Sequence, residues 1–345
     1  MRAKLGAVLT LAVGLALTGC SSSPSNSAST STATATATSA VSASDAATSS
    51  SASASSNVQA SDALVFNHPS IDGLKIEFAE QPKNIVMDCY AYSTLDEYGI
   101  KPNAIFGYQC DDPTVMGGVD TTGIEQIGTD GEIDLEKLAQ LKPDAIIGLG
   151  TADGWQWFKE DVNSQLTRVA QFVPLPGGDT VDEGIANVRE LAEFLGADVT
   201  ASHITKADQD YAAAKQNFSD AIAGEDLSFM LSSPTKEMLY TRADGPQADL
   251  LKSLGATLAG PTEGHEGSPW AWIAWEEASK YPTDVMLVEN YDEADPFTAE
   301  MWDSLPSVQA GQLYAWNSKG ALTSRHYADW LDGLATKVQG FNKVS

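Results

Sequence analysis

Residues 135–149 read LEKLAQLKPDAIIGL, and residues 275–289 read WEEASKYPTDVMLVE. In each stretch an acid, Glu136 or Glu276, begins a short helical segment. An aspartate eight residues later, Asp144 or Asp284, precedes an apolar run suited to a buried strand. Such an echo is what a pseudo-symmetric protein built from two similar halves shows. Outward from both stretches, short apolar runs alternate with amphipathic segments, the pattern of strands and crossover helices in an α/β fold. Strands are expected at 84–87, 104–108, 145–149, 169–173, 228–231, 237–241, 285–288 and 312–316.

Two helices stand out between these strands. The first runs from 180 to 195, with Thr180 as N-cap, Glu183 three residues on as its capping-box partner and Gly196 as the stop. The second, from about 198 to 223, contains no Gly or Pro and repeats Ile204, Tyr211, Phe218 and Ile222 at spacings of 7, 7 and 4. It falls between two strand-and-helix blocks of comparable size. It therefore reads as a single long rigid helix joining two small α/β lobes, 62–197 and 225–345, with the linker at 198–224. A long helix packed on one domain is the alternative.

Before the folded part, Arg2 and Lys4 precede an apolar run from Leu5 to Leu17 and the ending Leu17-Thr18-Gly19-Cys20. The run is shorter than the roughly 20 apolar residues a spanning helix needs, and 1–19 reads as an export signal. It resembles a bacterial lipobox, which implies that a lipidated Cys20 anchors the protein to the outer face of the cell membrane. An ordinary secretory signal with an incidental cysteine is the alternative. Residues 20–61 are almost wholly Ser, Ala and Thr, too poor in apolar side chains to fold, and are expected to be a disordered tether.

Charge and motifs narrow the function. With 47 acidic against 20 basic residues the net charge is −27, which disfavours nucleic acid and anionic membrane surfaces as partners. No G-x-S-x-G elbow or G-x-x-x-x-G-K-[ST] loop is present. Gly148-Leu149-Gly150 follows a strand, but Asp153 stands where a dinucleotide fingerprint needs its third glycine. The four histidines, His68, His203, His265 and His326, are scattered, and Pro269 occupies the place of the second histidine after His265-Glu266. No enzyme, no cofactor and no directly bound metal are expected. Cys89 and Cys110 each follow an apolar run; neighbouring parallel strands would bring them together as a disulfide, and two separate buried thiols are the alternative.

The ordered segments carry a resemblance. They are Pro82-Lys83-Asn84-Ile85-Val86, Ile127-Gly128 with Asp134-Leu135-Glu136-Lys137-Leu138, Leu141-Lys142-Pro143-Asp144, 250–256, Ile273-Ala274-Trp275-Glu276, and Trp302 through Leu305-Pro306 to 311–314. With the lipobox, they resemble the ABC-importer solute-binding proteins for ferric siderophores, haem and cobalamin. The resemblance implies a ligand cleft between the two lobes and capture of a metal chelate, a ferric siderophore before haem or cobalamin. It also implies delivery by a monomer to an ABC permease that docks on Glu136 and Glu276. A surface-anchored enzyme on the same fold is the reading from another class.

Ligands of open α/β folds sit beyond the carboxyl ends of the strands, and those loops are unusually aromatic here. The expected ligand-binding residues are Tyr92, Tyr108, Trp155, Trp157, Arg242, Trp270, Trp272, Tyr291, Trp316 and Arg325. Aromatic rims suit apolar chelate faces, and arginine suits chelating oxygens through charge-assisted hydrogen bonds. Trp275, Trp302 and Trp330 fall on amphipathic helices and are expected in the core.

Overall fold

The structure is a computed structural model that describes residues 63–242, 244–265 and 268–345. The signal at 1–19, the tether at 20–61 and lipidation at Cys20 lie outside the described residues. Among the described residues no helix is long and apolar enough to cross a membrane.

The first lobe opens with an antiparallel hairpin, β1 (Leu64–Asn67) and β2 (Lys75–Phe78). There follow β3 (Ile85–Asp88), α1 (Cys89–Leu95), β4 (Ala104–Phe106), α2 (Pro113–Met116) and β5 (Glu125–Gln126). A small hairpin of β6 (Gly128–Thr129) and β7 (Glu132–Ile133) leads into α3 (Leu135–Leu141) and β8 (Ala145–Gly148). A second hairpin, β9 (Gly150–Thr151) and β10 (Gly154–Trp155), precedes α4 (Glu160–Val169) and β11 (Gln171–Pro174). The main sheet has the order β11-β8-β3-β4-β5 and every pairing in it is parallel. Parallel sheets are covered on both faces, which is why β3 and β8 are buried along their whole length and read as unbroken apolar runs.

Two helices then carry the chain between the lobes. α5 (Val181–Phe194) starts where Thr180 Oγ1 accepts the Glu183 backbone N–H at 3.1 Å; the Glu183 carboxylate reaches back to Asp179 N–H at 3.0 Å, one residue before the cap. α6 (Ser202–Ile222) is shorter at its start than the sequence pattern suggests, because Asp198 accepts the N–H and hydroxyl of Thr200 and turns the chain before the helix begins. One stripe of α6, from Ile204 through Ala207, Tyr211, Ala214 and Phe218 to Ile222, is buried. Ile204 joins the first lobe's core, whereas Tyr211, Phe218 and Ile222 join the second's. The crossing is not made by α6 alone: Val181 and Ile185 of α5 sit in the second lobe's core while Val188 and Leu191 sit in the first's.

The second lobe contains β12 (Ser228–Pro234), β13 (Met238–Arg242), α7 (Pro246–Ser253), β14 (Thr257–Leu258) and β15 (Ala271–Ala274). After a 3-10 turn at Trp275–Lys280 come β16 (Val285–Glu289), α8 (Glu300–Asp303), α9 (Pro306–Gln309), β17 (Leu313–Trp316) and α10 (Ser324–Val338). Its sheet is mixed, ordered β15-β13-β12-β16-β17, with β14 also paired to β12. α10 lies along α6 and buries Tyr327, Leu331, Leu334 and Val338 in the same core. Trp275 and Trp302 are buried in a further cluster behind β16, and Trp330 is half-buried with its indole N–H on the Ala315 carbonyl.

The echo in the sequence has a common structural cause. Asp144 Oδ2 accepts the backbone N–H groups of Lys83 and Asn84 at the head of β3, and Asp284 Oδ2 accepts Ser228 N–H at the head of β12. Each aspartate begins a strand and fixes the start of its parallel neighbour. Burial pushes the Asp284 carboxyl up, but hydrogen bonds from Ser228, Val344 and Ser345 outweigh it and hold the group at about 2. Cys89 and Cys110, just beyond β3 and β4, form a disulfide with Cα atoms 5.2 Å apart.

Two substitutions test this core. Phe218→Ala, at a fully buried position, is expected to lower the unfolding free energy by about 3–5 kcal/mol, read from urea midpoints. Replacing Cys89 and Cys110 by Ser opens a loop of 21 residues and is expected to cost about 3 kcal/mol through the unfolded chain.

Candidate functional site

The loops that follow β8 and β11 in the first lobe and β17 in the second meet at a cleft. One pocket of about 210 Å³ is lined from the first lobe by Tyr90, Thr94, Leu149 and the 175–180 loop, and from the second by Arg242, Gln247, Lys319 and Leu322. An adjoining pocket of about 370 Å³ is lined by Ser233, Tyr240, Trp270, Trp272, Glu289 and Lys319. Lys319 belongs to both, so the two hollows are parts of one cleft. Its size and mixed aromatic and polar lining are those of a small-molecule site.

Arg242 is the cleft's distinctive cation. It ends β13, half-buried, with its guanidinium 5.6 Å from the centre of the Trp270 ring. No carboxylate lies within ion-pair distance of it among the described residues, and its Nε is buried without a hydrogen-bond partner. Burial lowers its pKa, partly opposed by the charges of Asp244 and Glu289. Gly245, at φ +88°, leaves the room: a Cβ there would stand 2.4 Å from Arg242 Nη2. Lys319, by contrast, is engaged. Its Nζ is 3.6 Å from Glu289 Oε1, and Ser318 Oγ also donates to that carboxylate.

Behind and beside the lining, each lobe packs its aromatic side chains in two layers. In the first lobe Tyr108 and Trp157 are half-buried and lie over Trp155, at centroid distances of 5.7 and 4.8 Å. Tyr90, 5.8 Å from Trp157, donates its hydroxyl to Gln109. In the second lobe Trp270 lies 5.7 Å from Trp316, while Trp272 is 47% exposed and reaches into the cleft.

The layering corrects several of the expected ligand contacts. Tyr92 and Trp155 are 0% exposed and do not line the cleft. Tyr92 faces the opposite way along α1 and donates its hydroxyl to the Asp120 carbonyl. Trp155 is the inner layer, with its indole N–H on Asp88 at 2.7 Å. Trp316, 3% exposed, backs Trp270. Tyr291 packs against the cluster behind β16, and Arg325, near the start of α10, lines a separate hollow with Thr114, Met116 and His326 and has its Nε 4.0 Å from the buried Glu97 carboxylate. The structure brings together Arg242, Trp270 and Trp272, with Tyr108 and Trp157 continuing the aromatic edge beyond Tyr90. Lys319 and Glu289 escaped the sequence reading because nothing in the turn 317–320 marks it. Its place after β17 was the available signal.

Asp88 holds the first wall in place. It caps α1 by accepting Ala91 N–H at 2.6 Å, and its other oxygen accepts Leu149 N–H and Trp155 Nε1, both at 2.7 Å. These side chains lie so close over Gly148 that a Cβ there would meet Asp88 Oδ2 at 2.9 Å, which accounts for the glycine that opens Gly148-Leu149-Gly150. At the opposite rim the lobes touch through Thr114, Asn290 and Asn317: Thr114 Oγ1 donates to Asn290 Oδ1 at 3.1 Å and Asn317 Nδ2 to the same oxygen at 2.8 Å.

The two acids of the echo lie elsewhere. Glu136 and Glu276 are exposed at the heads of α3 and the 3-10 turn, before the strands rather than after them. Glu136 accepts a hydrogen bond from Gln140, and Glu276 edges a hollow lined by Trp275, Met286, Met301 and Leu305. Among the described residues no cluster of three His, Cys, Asp or Glu side chains could hold a bare metal ion.

The family described as "Periplasmic binding protein" matches residues 114–319. No curated protein matches the chain. Among solved structures, it is similar to DesE, a ferric-siderophore receptor protein from Streptomyces coelicolor, at 25% identity and a TM-score of 0.72, over 82% of this chain and 100% of that one. It shares the fold of the triscatecholate siderophore binding protein FeuA from Bacillus subtilis (16% identity, TM-score 0.58, 81% and 99% covered). The same holds for the siderophore binding protein FhuD from Vibrio cholerae (20%, 0.58, 76% and 99%).

Burial pushes the Asp88 carboxyl up to about 6, against the hydrogen bonds from Leu149, Ala91 and Trp155. The folded chain therefore binds this proton more tightly than the unfolded one, whose carboxyl titrates near 3.8. Stability is expected to rise, by on the order of 3 kcal/mol from this group, as the pH falls from about 6 to about 4. Urea midpoints measured across that range should lose this slope in Asp88→Asn.

Proposed function

The chain belongs to the periplasmic binding protein family, and we propose that it captures a ferric siderophore between its two lobes and delivers it to an ABC importer permease. The protein acts as a monomer outside the cytoplasm, held to the cell membrane by a lipid on Cys20, with 20–61 as the tether. Residues 62–197 and 225–345 serve as the lobes and 198–224 as the link.

The observation that supports this most directly is Arg242, a partly buried cation stacked on Trp270 with no carboxylate partner. A guanidinium Nε buried without an acceptor is costly, and a chelate oxygen arriving in the cleft would supply one. The half-buried and exposed aromatics on both walls offer flat apolar contact to the rest of the ligand. The likeness to DesE, a ferric-siderophore receptor, points the same way. Glu136 and Glu276 are the docking acids: they stand on equivalent elements of the two lobes, exposed, without a cationic partner among the described residues, and away from the cleft. Arginines of a permease would pair with them.

Tryptophan fluorescence tests capture. A ferric siderophore is expected to quench saturably at submicromolar concentration, with affinity reduced at least about tenfold in Arg242→Ala. Strong visible bands in the loaded protein would instead identify haem or a corrinoid as the ligand. Glu136→Lys combined with Glu276→Lys is expected to abolish uptake by cells while the purified variant still binds. Uptake at the normal rate would remove the docking role.

A further inference from the structure

The charges that line the cleft select among chelates. From the first lobe the lining is Tyr90, Thr94, Leu149, Leu175, Gly177, Gly178 and Thr180; the one ionisable side chain among these is the Tyr90 phenol, whose pKa burial raises, while Asp179 of the same turn is exposed and outside the lining. From the second lobe come Arg242, Lys319 and Glu289. Glu289, whose side chain is 12% exposed, takes up Lys319 at 3.6 Å and accepts a hydrogen bond from Ser318, and its charge also acts on Arg242. The cleft thus presents one unpaired cation. The other basic residues near the lobe junction do not add to it. Arg325 sits toward Glu97, and desolvation together with the Arg325 charge holds His326 at about 4, which leaves it neutral at ordinary pH.

Resting on the siderophore reading above, we infer that the ligand is a ferric chelate of zero or single positive charge, the trihydroxamate class, and that the Glu289–Lys319 pair excludes trianionic tricatecholates. Three hydroxamates each bring one negative charge to Fe³⁺, so the complex is neutral; its chelating carbonyl oxygens still carry partial negative charge, for which a single guanidinium is a fitting donor. Three catecholates bring six negative charges and leave the complex at −3. Burying that charge needs several free cations, and here one is free and one is neutralised by an acid that is itself nearly buried. The whole chain, at −27, repels such a ligand before it arrives. Trp270, Trp272 and Tyr240 would cover the alkyl links between hydroxamates instead.

Titrating the full-length protein by tryptophan fluorescence with a linear ferric trihydroxamate and with a ferric tricatecholate tests the class. Their gallium complexes separate binding from quenching by iron. The expected result is saturation by the trihydroxamate with a Kd at least about thirtyfold below that of the tricatecholate, a difference of about 2 kcal/mol. In Glu289→Gln, which frees Lys319, the ratio is expected to fall by about tenfold or more, through tighter tricatecholate binding. Equal or tighter binding of the tricatecholate by the unmodified protein would overturn the class and leave siderophore capture standing. Silence toward both complexes, with calorimetry in agreement, would overturn capture and class together. A ratio unchanged in Glu289→Gln would overturn the role given to the Glu289–Lys319 pair.

Discussion

The cleft exists because α6 and α10 lie against each other along a continuous apolar seam. Tyr211, Phe218 and Ile222 on one side meet Tyr327, Leu331, Leu334 and Val338 on the other, and Ile204 extends the stripe into the first lobe's core. α5 reinforces the crossing by dividing its own apolar face between the two cores. A helix anchored in both lobes cannot bend without opening buried surface, at about 25 cal/mol for each Å² exposed. Two loop systems are thereby held at a fixed separation, and a rigid cleft between them follows from that.

Within this frame, carboxylates at the strand ends fix what the helices only bring near. Asp144 and Asp284 fasten the heads of neighbouring parallel strands, one in each lobe, at the end away from the cleft. Asp88 does the corresponding work at the cleft end, joining β3, the Leu149 turn and the Trp155 indole through one side chain. It sits beside the disulfide of Cys89 and Cys110, so the loops after β3, β4 and β8 are tied to one another. Both walls then use the same construction, a buried tryptophan backing an outer aromatic: Trp155 under Tyr108 and Trp157, Trp316 behind Trp270. The inner ring supplies contact area and stiffness, which keeps the outer ring from swinging into its own lobe.

Charge is arranged on two scales. The molecule as a whole is strongly acidic, yet its cleft carries an arginine left unpaired and a lysine that is already neutralised. An unpaired Arg242 is a cost to the empty protein, offset in part by its guanidinium standing 5.6 Å from the centre of the Trp270 ring. An acceptor oxygen brought against the guanidinium would recover that cost.

The sequence by itself determined the α/β class, all eight expected strands to within a residue or two at most ends, and the long helix. Each of these follows from periodicity and capping, which act between residues close in the chain: Ile204, Tyr211, Phe218 and Ile222 announce a helical stripe wherever they are placed, and Thr180 with Glu183 announces a start. It also marked the echo of Asp144 and Asp284. What it could not settle was which loop aromatics turn outward. Tyr92, Trp155 and Trp316 look no different in sequence from Tyr108, Trp157 and Trp270, and only their contacts with Asp120, Asp88 and a second tryptophan assign them to the interior. Arg242 and Arg325 were likewise equivalent until the fold set Glu97 beside one and left the other without a partner. Burial and pairing are long-range properties, fixed by which distant segments meet, so the tertiary structure alone decided the site.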